Sequence, residues 1–193
     1  MMPQDTPQDI FNQLADLFST MDKTWDQVAA DNGFQCNGCE DNCCLSLFYH
    51  HTQVEKAYLW HGFKTLSPQT QAQVMAKARK YLEKTFGGTG TPSPDTGSKK
   101  IPCPLLVDGR CGLYTYRPMI CRMHGLPHEL HRPDGQIMKG PGCDAGGFDE
   151  NTSIPFNRTP FYRQMAGIEM AFRTATGKQE KIRATIAHML LDE

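Results

Sequence analysis

Apolar residues recur at steps of three and four along four stretches of the chain, which predicts amphipathic helices. Ile10, Leu14, Leu17, Phe18, Met21, Trp25 and Val28 form the first stripe, with Pro7 early in the helix and Gly33 beyond its end. Val74, Met75, Ala78, Tyr81 and Leu82 form another, capped by Ser67, opened by Pro68 and closed by Gly87-Gly88. Phe161, Met165, Ile168 and Phe172, then Ile182, Ile186, Met189 and Leu190, predict two C-terminal helices within 160–191. A shorter helix is expected from Thr52, where Thr52 and Glu55 have capping-box spacing and Val54, Ala57 and Tyr58 face inward.

The pattern breaks in between. Residues 87–100, GGTGTPSPDTGSKK, read as a flexible loop or linker. Leu105-Leu106-Val107 and Cys111-Gly112-Leu113-Tyr114 flank Asp108-Gly109-Arg110, the signature of a small hairpin with an Asp-Gly turn. Arg117-Pro118 opens a short helix carrying Cys121 and Arg122, and Pro133-Asp134-Gly135 marks a second hairpin. The expected fold is mainly α: a single small cysteine-rich helical domain over 1–193, with one or two short β-hairpins around a metal site. Its parts are an N-terminal helix at 8–30, a cysteine core at 36–143 and the C-terminal helices.

Composition adds a compartment. Lys and Arg number 20 against 21 Asp and Glu, a formal net charge of −1. No surplus of positive charge points to nucleic acid or a membrane surface. The N-terminal MMPQDTPQDIFNQL has neither the basic nor the apolar region of a secretory signal. The expectation is cytoplasmic, where thiols stay reduced.

That setting gives the eight cysteines their meaning: Cys36, Cys39, Cys43, Cys44, Cys103, Cys111, Cys121 and Cys143. In a reducing compartment such a set reads as metal ligands. The adjacent Cys43-Cys44 suits disulfides poorly. Cys36-x2-Cys39-x3-Cys43 is a local knot in a turn-rich stretch, and the second group sits beside prolines and turns. Such positions can aim sulfurs from both groups at one shared neighbourhood. Soft thiolates select zinc or iron–sulfur centres, and spacing alone leaves both open. Arg110, Arg117, Arg122 and Lys139 fall among the second group, where cations offset thiolate charge or bind an anion. His50-His51 follow the knot, and His124, His128 and His131 follow Cys121; each is a possible substitute ligand.

The block Cys103-Pro-Leu-Leu-x-Asp-Gly-Arg-Cys111-x-Leu-Tyr-x-x-Arg-Pro-x-x-Cys121-Arg, with the Cys36–Cys44 knot before it and Cys143 after, resembles the YkgJ-type cysteine-cluster family. That family is described as zinc- or iron-chelating, carries eight cysteines and includes the flagellin lysine N-methylase FliB. The resemblance covers about residues 36–143 and implies an iron–sulfur cluster or zinc held by the eight cysteines. Arg110, Tyr114, Arg117, Arg122 and His124 are candidates to surround it. A methylase-like activity and a thiol redox role are the alternatives. The chain shows no Gly-rich strand-to-helix motif for adenosylmethionine and no Cys-x3-Cys-x2-Cys loop. Cys36/Cys39 is the one pair spaced for thiol–disulfide exchange.

Overall fold

The computed structural model describes residues 6–36, 43–87 and 101–192. Cys39 and nearly all of the predicted 87–100 loop lie outside the described residues. The chain groups into two compact units: residues 1–41 with 122–180, and residues 42–121 with 181–193. The fold is mainly α, as expected, with two small sheets among the described residues.

The first unit is built on α1 (Pro7–Asp31). Thr6 caps it through a complete capping box with Asp9, and Pro7 stands at its first position. Of the stripe read from the sequence, Ile10, Leu14, Leu17, Phe18 and Met21 are buried, and Trp25 and Val28 are half-buried. They face α5 (Thr159–Thr176), which buries Phe161, Met165, Ile168 and Phe172. Each fully buried side chain of this size contributes about 1.5–3 kcal/mol. Strands β3 (His128–His131) and β4 (Ile137–Gly140) form the second predicted hairpin, turning at Gly135. Strand β5 (Phe156–Asn157) pairs parallel to β3, which the sequence pattern did not predict. Two residues give no readable alternation.

The second unit contains α2 (Gln53–Phe63), α3 (Pro68–Phe86) and α6 (Ile186–Leu191). Leu59 and Phe63 of α2, Val74 of α3 and Met189 and Leu190 of α6 form a buried cluster with Leu105 and Leu113. Trp60 donates its indole N–H to the Met189 carbonyl at 2.7 Å, tying α2 to α6. Gly62 is required by close approach: a Cβ there would lie 2.2 Å from the ring of Tyr116. Strands β1 (Leu106–Val107) and β2 (Arg110–Cys111) form the first predicted hairpin. Asp108 and Gly109 both take positive φ, 47° and 78°, as a two-residue hairpin turn demands.

One helix is shorter than its periodicity suggested. Ile182 lies before α6, not within it, because α5 ends at Gly177 in the left-handed region and α6 starts only at the Thr185 cap. Within the second unit, Ala184 instead bridges His50, with N–H···O bonds of 2.7 and 3.0 Å.

Candidate metal centre

The segment that carries the second cysteine group has little regular structure, and its turns aim the sulfurs. Cys103-Pro104-Leu105-Leu106 is a tight turn with Pro104 second, closed by the Leu106 amide on the Cys103 carbonyl at 3.0 Å. The Leu105 amide also bonds back to the Cys103 sulfur, and the Leu113 amide to the Cys111 sulfur. Both sites are Cys-x-Leu, and both leucines are buried, 2% and 4% exposed. The buried leucine fixes the amide that supports the sulfur two residues before it. Such N–H···S bonds favour thiolate over thiol.

The ends of the two cysteine groups meet in the second unit. The Cys103 amide donates to the Cys44 carbonyl at 2.7 Å. Cys43, Cys44, Cys103, Cys111 and Cys121 line one cavity. Cys121 reaches it from α4 (Met119–Arg122), which starts after Pro118. The α4 N-terminus is held by Glu55, whose buried carboxylate accepts from the Met119 amide at 2.7 Å and from the Thr52 hydroxyl. Thr52 caps α2 as read, accepting from the Glu55 amide. No sequence pattern announces that the Glu55 side chain supports Cys121's helix, 64 residues on.

The thiols act on one another. Cys44 hydrogen-bonds Cys111 and Cys43, which pushes its own thiol far above the usual range. The Cys44 bond, helped by the Arg117 charge, brings Cys43 down to about 7 against the pull of burial. Cys111 is lowered, first by the Cys44 bond and also by the Leu113 amide and Arg117. Burial, with neighbouring thiolate charge, pushes Cys103 up to about 12 and Cys121 well above the ordinary thiol range. Thiols that act on one another in this way cannot all ionise unaided; a bound cation would supply the missing charge.

The remaining predicted residues are distributed as follows. Cys36 is exposed and Cys143 buried, both in the first unit. Arg117 lines the cavity and lies over the Tyr114 ring at 3.7 Å, while Tyr114 itself is exposed. Arg110 is exposed on β2 and Lys139 on β4. Arg122 is 4% exposed in the first unit, where its guanidinium pairs with Asp22 and covers the Phe18 ring. His124 also belongs to that unit, its carbonyl accepting from the Trp25 indole at 3.0 Å. Among the described residues there is no disulfide, and no three His, Cys, Asp or Glu side chains stand at ready metal-ligand spacing. The chemistry of the donors fits a soft or borderline metal all the same. Five thiols share the cavity, and three of their sulfurs, on Cys43, Cys103 and Cys111, already accept backbone N–H bonds.

These features define a cysteine-cluster metal-binding domain. The profile of the CxxCxxCC family, described as "putative zinc- or iron-chelating domain", matches residues 35–137, and the chain belongs to that family. The knot here has three residues between Cys39 and Cys43, one more than the family's name spells out. No curated protein and no solved structure matches the chain. Among the described residues no helix is long and apolar enough to cross a membrane.

Proposed function

We propose that the second unit holds an iron–sulfur centre through Cys43, Cys44, Cys103, Cys111 and Cys121, and that the protein serves as a metal-binding module. The observation that carries this is the convergence of five thiols on one cavity, with amides from two Cys-x-Leu turns on their sulfurs. An iron–sulfur centre draws thiolates from scattered positions, whereas closed zinc sites favour paired Cys-x2-Cys knuckles. The cavity sulfurs come from the end of the knot, two turns and a short helix, and among them no such pair occurs.

A module needs thiolates and their support, while an enzyme also needs polar groups facing a substrate. Of Arg110, Tyr114, Arg117, Arg122 and His124, the residues expected to surround the centre, Arg117 alone is among the cavity's lining. Much of the rest of that lining is apolar, including Phe48, Leu105, Ile186 and Ala187. The methylase and thiol redox readings gain no support from the family assignment, which names chelation alone. A cytoplasmic setting belongs to the proposal, because ligating thiolates need a reducing compartment.

The test is metal and acid-labile sulfide analysis of untagged protein purified without oxygen. Iron with matching sulfide and broad visible absorption is expected. Zinc without sulfide would replace the iron–sulfur centre by a zinc site in the same cavity. Finding neither metal would end the reading.

A further inference from the structure

His50 stands out within the second unit. Its backbone is pinned on both sides by the bridge to Ala184, N–H to carbonyl at 2.7 Å and the return bond at 3.0 Å. Its side chain is 3% exposed and lines the same cavity as Cys43, Cys44, Cys103, Cys111 and Cys121. The ring atom Nε2 is fully buried and has no hydrogen-bond partner among the described residues. A buried polar atom left so is costly, and native folds rarely tolerate one without a use. A histidine serving only as core would satisfy that nitrogen from a neighbouring group. The pinned backbone holds the ring in the lining of a cavity that five thiols share.

We propose that His50 is a nitrogen donor to the metal centre, its Nε2 binding iron or zinc beside the cavity thiolates. The inference rests on the metal-centre reading above. Imidazole suits both metals and is a common partner of thiolate in mixed sites. It also adds a donor without adding negative charge, in a cavity where thiolates already repel one another. The side-chain order fits as well: His50 lies seven residues beyond Cys43, on the same segment that delivers Cys43 and Cys44. His51, next in the chain, is exposed and does not line the cavity.

X-ray absorption at the metal edge tests this on anaerobically purified full-length protein. The probe is whichever of iron or zinc the protein carries. Imidazole gives outer-shell scattering that thiolate lacks. The native protein is expected to show a mixed sulfur and nitrogen shell with that scattering. His50→Leu and His50→Gln should lose it, keep the sulfur shell, and release metal to a chelator at least about tenfold more readily. An all-sulfur shell in the native protein overturns the inference even if neither variant folds. Imidazole scattering that survives in His50→Leu overturns it too, since another histidine is then the donor. Bound metal with an all-sulfur shell sinks His50 alone; absence of iron and zinc sinks the metal-centre reading as well.

Discussion

The first unit is held by α1 against α5, 25 and 18 residues long, whose apolar stripes meet. Residues 101–121 of the second unit have two strands of two residues each, one 3-10 turn and one turn of helix. Arginines mark the contrast. Arg122 is buried in the first unit and neutralised by Asp22, while Arg117, five residues earlier, faces thiols in the second. Where helices supply the core, a buried charge finds its partner within the protein. Where turns supply sulfurs, the arrangement calls for a ligand to complete it.

Metal removal should widen the contrast most. Apparent binding energies of structural thiolate sites reach about 10 kcal/mol, and this energy is folding energy. Anaerobic chelation should therefore strip hydrogen-exchange protection from the Cys103, Gly112 and Cys121 amides, all of which donate to backbone carbonyls. The interior amides of α1 and α5 should change little. Equal change in both regions, or none in either, would show that the metal does not hold the turns.

Next in size is the ion pair of the first unit. Asp22→Ala removes the carboxylate paired with the buried Arg122, and breaking such a pair costs about 3 kcal/mol. Arg122→Met should cost less, because its stem still covers Phe18 and the remaining Asp22 carboxylate is one-third exposed. Denaturant unfolding reads both. The metal-to-protein ratio should stay at the native value; a fall would make Arg122 part of the centre after all.

Glu55 is the corresponding anchor of the second unit. Glu55→Ala strands the buried Met119 amide at a cost of about 1–3 kcal/mol, while Glu55→Gln keeps an acceptor oxygen there. The expected order of stability is native, Gln, then Ala. If the two variants unfold alike, the bond to Met119 does not carry the effect.

The sequence made much of this legible, and the physics explains which parts. α1, α3 and α5 showed themselves because a core face repeats over many turns. The two hairpins showed themselves through Asp-Gly turns that accept positive φ. The cysteines were visible as a set because their chemistry is unlike that of any other side chain. Roles fixed by distant partners were hidden. Nothing near Arg122 in sequence announces Asp22, a hundred residues before it, and nothing near Glu55 announces Met119. Ile182 fits a helical stripe, yet the Thr185 cap and the Ala184 bridge place it outside α6. One signal was present and unread: Cys103-Pro-Leu and Cys111-Gly-Leu repeat one device, a leucine two residues on that anchors the amide supporting the sulfur.

The smallest expected effect tests whether Arg117 serves the thiols by charge. In metal-free protein the nucleophile is the thiolate, so labelling rate follows its population. Cys43 has its thiol brought down to about 7, whereas Cys103 is pushed up to about 12. Near neutral pH, iodoacetamide should therefore modify Cys43 well before Cys103 or Cys121, with a rate that rises through a midpoint near 7. Cys44→Ala removes the hydrogen bond that lowers Cys43 most and should move this midpoint up. Arg117→Gln removes the smaller, coulombic share, so the midpoint should again rise, by less than in Cys44→Ala. Mass spectrometry of peptides labelled across a pH series resolves each site. An unchanged midpoint in Arg117→Gln, beside a raised one in Cys44→Ala, would mean that Arg117 does not serve the thiols by charge. The centre would then owe its charge balance to the bound metal alone, and the difference between Arg117 and Arg122 would be one of exposure rather than of role.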